Sequence, residues 1–293
     1  MNGTNGTNAL AVVRAGALTT VQDLGRPGHA HLGVPRSGAL DEPAHRLANR
    51  LVGNPVERAT LETTVDGCAV RVAAAVTVAV TGAPCAVRAG GRPVAWGAPV
   101  RVPAGAVLEV GAATAGLRSY VAFAGGVAVP PVLGSRSRDL LSGLGPEPLS
   151  DGARLPLGTP CGPPAGVDAV PCGALPLGEL VLPVVLGPRA DWFAPEAVGV
   201  LAGGAFRVSS ASNRIGLRVD GPGLPRTRDG ELPSEGLVLG AVQVPPDGRP
   251  VVFLTDHPTT GGYPVIGVVP EPSLPGAAQS PPGTPIRFVP RRG

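Results

Sequence analysis

The sequence predicts a mainly β protein of two domains, the first a run of short antiparallel strands of the barrel or sandwich kind and the second also β-rich, with a few short helices. Three observations lead there: apolar residues alternate with period two in many short runs, Gly and Pro punctuate those runs, and only one stretch has a strong helical period. Gly (44) and Pro (36) exceed a quarter of the 293 residues, yet 43% of the residues are hydrophobic and mean hydropathy is +0.23. A chain with that much apolar side chain folds around its turns rather than remaining disordered, and its length accommodates two cores.

Residues 1–9 carry two Asn-Gly-Thr triplets and read as a flexible leader; neither a charged n-region nor an apolar h-region of a secretion signal is present. Residues 10–157 form the expected first domain. It opens on the loop "TTVQDLGRPGHAHLGVPRSGALD" (19–41), too rich in Gly and Pro for a helix and too polar for a buried strand. The helix follows over 41–53: Asp41 caps it, Pro43 sits in the first turn, Ala44, Leu47, Ala48 and Leu51 recur at i, i+3, i+4, i+7, and Gly53 stops it. His45, Arg46, Asn49 and Arg50 are expected on the opposite face. From Cys68 the period becomes two, with strands at "VTVAV", "PVRV", "AVLEV" and "RSYVAFAGG".

Residues 158–178, almost uncharged and crowded with Gly and Pro, read as a linker. The second domain, 179–293, is expected to carry strands at "LVLPVVLG", "FRVSS", "GLRVDG" and "TPIRFVP", a short capped helix within "DWFAPEAVGVLAGG", and a hairpin turning at Pro245-Pro246-Asp247-Gly248.

Charge and composition exclude several function classes. Net charge is +3, from 24 basic and 21 acidic residues that are scattered along the chain, so no basic stripe marks a nucleic-acid partner. No lysine is present. That removes a Schiff-base lysine, a Walker A lysine and a lysine carrying covalent biotin, and leaves Arg as the side-chain cation for any bound anion. Cys68, Cys85, Cys161 and Cys172 form no C-x-x-C pair and are expected as reduced thiols packed like small apolar residues. No run is long and apolar enough for a membrane helix, and the expected location is cytoplasmic.

No generic catalytic signature is present, so candidates come from the loops. His29 and His31 form an H-x-H pair without an obvious carboxylate, and no metal site is expected. Asp23, Ser37 and Asp41 are candidate catalytic groups, although Asp41 is better placed as a helix cap and Ser37 lies in a turn. Arg26 and Arg36 flank the Gly-rich part of the opening loop, an arrangement suited to an anion. The same loop would deliver Thr20 and Gln22 to a cleft. In the second domain, "DHPTTGGYPVIG" sets Thr260, Gly261, Gly262 and Tyr263 where backbone can approach a ligand closely.

The segments "TTVQDLGRPGH", "GVPRSGALD", "ANRLVGNP", "FAGGVAVPPVLGSRSRD", "SNRIGLR", "SEGLVLGAVQVPPDGRP" and "TTGGYPVIG" together resemble the biotin-dependent carboxyltransferase family, from about Leu10 to Phe288. That family comprises the C subunit of 5-oxoprolinase, KipA-like proteins and the allophanate hydrolase subunit 2 type of urea carboxylase half. The resemblance implies β-barrel domains, the C-terminal one cyclophilin-like. It also implies an ATP-dependent complex that opens 5-oxo-L-proline to L-glutamate, with a KipI-like protein and a lactam-utilisation protein as its B and A partners. ATP would serve the assembled complex.

Arg136, Arg214 and Arg218 lie in the matching segments and join Arg26 and Arg36 as candidates for stabilising anionic chemistry; Ser234, Glu235 and Gln243 join the binding candidates. Two further readings come with the family: a carboxyltransferase half taking carboxyl-biotin in trans, and a KipA-type regulator that binds a KipI-like kinase inhibitor. The chain departs from the family at Val265, where relatives often carry Lys after "GGYP", at Leu40 for Met, and at His257-Pro258 for Arg-Gln.

Overall fold

A computed structural model describes residues 8–164, 178–228 and 230–291. They form two compact units. The first takes residues 8–26, Asp41–Arg138 and 143–164; the second takes Pro27–Leu40, Asp139–Ser142 and the described residues from 178 onward. The middle of the opening loop, read from sequence as part of the first domain, therefore groups with the second unit.

Residues 1–7 of the expected leader and 165–177 of the expected linker lie outside the described residues, and Ala9 already belongs to a strand. Residues 158–164 lie against the first unit: Gly158 N–H donates to Gly126 O at 2.9 Å. Gly53, at φ +75°, passes so near Pro163 O that a Cβ there would stand 2.3 Å from it, so the helix stop must be glycine.

The first unit holds β1 (Ala9–Arg14), β2 (Leu18–Gln22), α1 (Glu42–Leu51), β3 (Thr60–Thr64), β4 (Cys68–Val72), β5 (Val76–Gly82), β6 (Cys85–Ala89), β7 (Arg92–Val94), β8 (Val100–Val102), β9 (Val107–Ala113), β10 (Arg118–Phe123) and β11 (Arg154–Pro156). They build two antiparallel sheets, β11-β1-β4-β9-β6-β7 and β2-β3-β10-β5-β8. The alternating valines of β5 are buried, and β10 is buried along its whole length because α1 packs across β5 and β10.

The helix differs from its sequence pattern. His45 and Asn49, expected outside, are fully buried, while Leu47 is only half-buried. Partners make this possible: the His45 ring lies 2.9 Å from Thr60 Oγ1 and 3.0 Å from Val56 O. Asn49 Nδ2 donates to Arg58 O at 2.8 Å, and Asn49 Oδ1 accepts from Asn54 Nδ2 at 2.9 Å. Polar side chains so satisfied can occupy a core face that periodicity alone reserves for apolar ones. Burial lowers the His45 pKa and keeps the imidazole neutral.

The second unit holds β12 (Leu180–Leu186), α2 (Ala197–Gly203), β13 (Phe206–Val208), β14 (Gly216–Asp220), β15 (Glu235–Gly236), β16 (Ala241–Gln243), β17 (Val251–Phe253), β18 (Thr260–Gly261), β19 (Val265–Val268), α3 (Leu274–Ala278) and β20 (Pro285–Arg291). Seven strands close a barrel in the order β12-β19-β16-β17-β14-β13-β20, sealed by the parallel pair β12–β20 from Leu180↔Ile286 to Val185↔Arg291. Its interior is Leu182, Val184, Leu217, Val242, Val252 and Ile266, with Phe206 and Phe288 edge to face at 5.3 Å. Each such side chain contributes about 1.5–3 kcal/mol on burial.

The Pro-Pro-Asp-Gly turn closes β16 onto β17 through Gly248 N–H to Pro245 O at 2.9 Å. Helix α2 begins at Ala197 without the expected side-chain cap, since its N-cap Glu196 makes no capping hydrogen bond.

The thiols do not share one environment. Cys68 is buried, and burial pushes its pKa up to about 12, whereas Cys161 is exposed with Arg58 Nη2 3.3 Å from its sulfur. Exposure at Cys161 overturns the expectation of uniformly packed thiols; Cys172 lies outside the described residues.

Candidate functional site

In the first unit, β2 runs into the opening loop and places Thr20, Gln22 and Asp23 in succession, all buried. Asp23 is a hub. Its Oδ1 accepts from Gly25 N–H (2.8 Å), Ser135 Oγ (2.6 Å) and Ser137 Oγ (2.6 Å), and its Oδ2 from Arg136 N–H (2.6 Å). Gln22 Nε2 donates to Thr20 Oγ1 at 2.9 Å and to Arg138 O at 3.0 Å, while Gln22 Oε1 is buried without a hydrogen-bond partner.

Arg26 is buried and donates to Ser137 O and to Val132 O; Arg136 Nε donates to Val129 O at 2.8 Å. Thr20, Gln22, Asp23, Arg26 and Arg136 thus come together, but Asp23 and both arginines spend hydrogen-bonding groups fixing two loops to each other. With four hydrogen bonds to Gly25, Ser135, Arg136 and Ser137, the Asp23 carboxylate ties the opening loop to the 135–137 turn.

In the second unit the centre is Asp256, which motif reading passed over. Arg214 Nε reaches its Oδ2 at 2.9 Å and Nη2 its Oδ1 at 3.1 Å, with both residues buried. Ser37 Oγ donates to Oδ1 at 2.9 Å, and Leu140 N–H to Oδ2 at 3.1 Å. Arg214 Nη2 also donates to Gly38 O at 2.6 Å, and Ser37 N–H to Thr255 O at 3.0 Å. Ser37 holds φ +55°, an uncommon conformation for a non-glycine residue, fixed by the bonds of its hydroxyl and its N–H. The Ser37 hydroxyl thus donates to a carboxylate that Arg214 already engages through two nitrogens.

The Gly-Gly loop forms a two-stranded ribbon, β15 with β18, pairing Glu235 with Gly261 and Gly236 with Thr260. Gln243, buried on β16, donates to Tyr263 O at 3.2 Å. A Cβ on Gly261 would stand 2.9 Å from Gln243 Nε2 and 2.9 Å from Leu237 Cδ1, so a larger residue here would have to displace the ends of those two side chains. Glu235 pairs through both oxygens with Arg189, whose hydrogen bond lowers the Glu235 pKa. Ser234 and Thr260 are exposed, and Gly262 and Tyr263 half-exposed, beside this ribbon.

The remaining candidates lie apart. Asp41 is the N-cap of α1, accepting Ala44 N–H at 3.1 Å, and its own N–H donates to Tyr120 Oη at 2.7 Å. That occupancy argues against a general base. Tyr120 in turn donates to Glu62 at 2.8 Å; burial, with Glu62 next, raises the phenol pKa and keeps it a neutral donor. Arg36 faces Glu271 at 3.4 Å, and Arg218 stands exposed on β14. The His29 and His31 rings are 6.5 Å apart, and among the described residues no group of three His, Cys, Asp or Glu side chains is placed to hold a metal ion.

Sequence reasoning missed Asp256, Ser135, Ser137 and Arg189. The available signal was Ser and Asp inside Gly/Pro-rich loops, where short polar side chains bond to nearby backbone.

With paired sheets in one unit and a seven-stranded barrel in the other, the chain matches the family described as carboxyltransferase domain, subdomain A and B, over residues 32–290. It belongs to that family. It is 41% identical to the C subunit of 5-oxoprolinase from Escherichia coli, over 96% of this chain and 90% of that protein. It is also 33% identical to urea amidolyase of Saccharomyces cerevisiae, over 96% of this chain but 16% of that one. Among solved structures, the Kluyveromyces lactis urea amidolyase superposes with a TM-score of 0.91 at 31% identity, over 98% of this chain and 19% of that chain. The protein TTHA0988 superposes at 0.86 with 36% identity, over 99% of this chain and 57% of that one. The chain thus spans little more than half of one solved relative and about a fifth of the other.

Proposed function

We propose that the chain works as the C subunit of a 5-oxoprolinase which, with its A and B partners, opens 5-oxo-L-proline to L-glutamate at the expense of ATP in the cytoplasm. The observation that carries this reading is the 41% identity to the C subunit of a 5-oxoprolinase over nearly the full length of both proteins. The urea amidolyase relatives contain a comparable segment as a small part of a much longer chain.

The chemistry suits such a division of labour. A lactam carbonyl is a poor electrophile. Transfer of the terminal phosphoryl group of ATP to the lactam oxygen gives ADP and an O-phosphorylated imidate; one water adds to its carbon, the ring nitrogen leaves as the amine of glutamate, and a second water hydrolyses the resulting acyl phosphate to the carboxylate and inorganic phosphate. Positioned donors and cations stabilise the charge that develops. On this chain the ribbon residues Thr260, Gly261, Gly262 and Tyr263, and the exposed Arg218, are the substrate or anion contacts. Asp23, Arg26, Ser37 and Arg214 act as positioning residues that hold the loops.

A second reading, carboxyl transfer from carboxyl-biotin carried by another protein, draws on the 0.91 TM-score to urea amidolyase. The test is glutamate release from 5-oxo-L-proline and ATP by the chain co-purified with its A and B partners, each omitted in turn. Activity that disappears on omission of this chain is expected. Full activity without it, or carboxylated product from carboxyl-biotin in place of glutamate, contradicts the reading.

A further inference from the structure

In the first unit, the segment between β10 and β11 carries a run that the folding of the unit does not explain. Pro130, Pro131, Val132, Leu133 and Gly134 are all exposed, between the buried Val129 and Ser135. Four consecutive apolar side chains in solvent are unfavourable unless something covers them. The other exposed large apolar residues, such as Val13 and Leu32, stand singly along the chain.

Val132 and Ser135 pair as a two-residue hairpin, Val132 N–H donating to Ser135 O at 2.7 Å and Ser135 N–H to Val132 O at 3.2 Å. Its tip is Leu133 at φ +50° and Gly134 at φ +82°, and such a tip favours Asn or Asp before Gly. A leucine there costs backbone strain with no burial to offset it. Val65, also exposed and at φ +63°, differs: its N–H donates to Leu117 O at 2.8 Å and its carbonyl accepts from Ala113 N–H at 2.7 Å, so backbone bonds hold it.

The run is also held stiff. Arg136 Nε donates to Val129 O at 2.8 Å, Arg26 Nε donates to Val132 O at 3.4 Å, and Asp23 accepts from Ser135, Arg136 and Ser137. Pro130 and Pro131 restrict the backbone leading to the tip. The Asp23 hub thus fixes an uncharged apolar projection in place, and a projection already ordered loses little entropy on binding.

We infer that residues 130–134 form a docking finger, which seats Leu133 and Val132 in an apolar pocket on a partner subunit of the assembled enzyme. This rests on the assembly proposed above. A protein occupant is favoured because the chain is 41% identical, over 96% of its length, to a protein that is itself a subunit, and because a solved relative, TTHA0988, carries the matching region as 57% of a longer chain. The finger has neither charge nor aromatic ring, so it lacks the groups that engage nucleic acid or a bilayer interface.

The test uses the full chain with its purified A and B partners, complex formation being followed by titration calorimetry and sedimentation. Leu133→Asn removes the apolar tip and suits the left-handed backbone. Its Tm is expected unchanged or raised, while affinity for one partner falls at least about tenfold, the loss of one buried leucine. Val132→Thr is expected to weaken the same complex by less, and Val65→Thr to leave it unmoved. A complex that forms as tightly with Leu133→Asn overturns the finger and leaves the assembly standing; no complex with either partner overturns both. Self-association of the chain, or sedimentation with phosphatidylcholine–phosphatidylglycerol vesicles, that Leu133→Asn abolishes would give the finger another occupant and overturn the inference too. Complex formation that depends on Leu133 but yields no glutamate upholds the finger and contradicts the reaction proposed above.

Discussion

Asp23 and Asp256 do similar work by different means. Asp23 is satisfied by neutral donors, three of them from the single turn 135–137. Asp256 is met by a buried guanidinium and by two segments distant in sequence, Ser37 from the opening loop and Leu140 from the 139–142 stretch. The difference matches the division of the chain. Residues 27–40 and 139–142 group with the barrel unit, and the Asp256 carboxylate bonds to both, with Arg214 adding a bond to Gly38 O. A charged hub organises distant segments, whereas a neutral one ties a local turn, and their failure costs should differ accordingly.

The largest effect is expected from Arg214→Met, which strands a buried carboxylate and should lower stability by about 3–5 kcal/mol in urea unfolding. Asp23→Asn keeps the shape of the first hub but turns an amide toward donors; a smaller loss, about 2–3 kcal/mol, is expected. An Asp23→Asn loss equal to or larger than that of Arg214→Met would break the comparison.

Acidification sharpens it from another side. His45 has its folded pKa held below the ordinary 6.5 by burial, so its neutral form is the stable one. That contribution is complete above the unfolded pKa and is lost as pH falls from about 6.5 toward the folded value, by at most about 1.4 kcal/mol per pH unit. Thermal unfolding between pH 7 and 5 should show it, and His45→Gln should flatten that slope. Ser37→Ala removes one neutral hydroxyl from the Asp256 hub and should cost only about 1 kcal/mol. Glu235→Gln, at a partly exposed pair, should leave Tm unmoved.

Much of this was legible in the sequence because strands and turns are local. The valines of β5, the Pro-Pro-Asp-Gly turn and the Asp41 cap each follow from a few adjacent residues. The hubs were not legible, since pairing Asp256 with Ser37 joins residues 219 apart and no spacing rule reaches that far. For the same reason His45 and Asn49 read as surface residues: their buried partners lie in the segment after the helix and are invisible to a helical period. The arginines in the matching segments were legible as residues, but not that Arg26 bonds to Ser137 O and Val132 O or that Arg214 bonds to Asp256 and Gly38 O.

The most direct test of Asp256 as the anchor of both inserted segments is amide hydrogen exchange on Asp256→Asn beside the unaltered chain. Faster exchange in residues 27–40 and 139–142, with β12, β16 and β20 still protected, is the predicted result. Unchanged protection of those two segments in a folded Asp256→Asn protein would contradict the account.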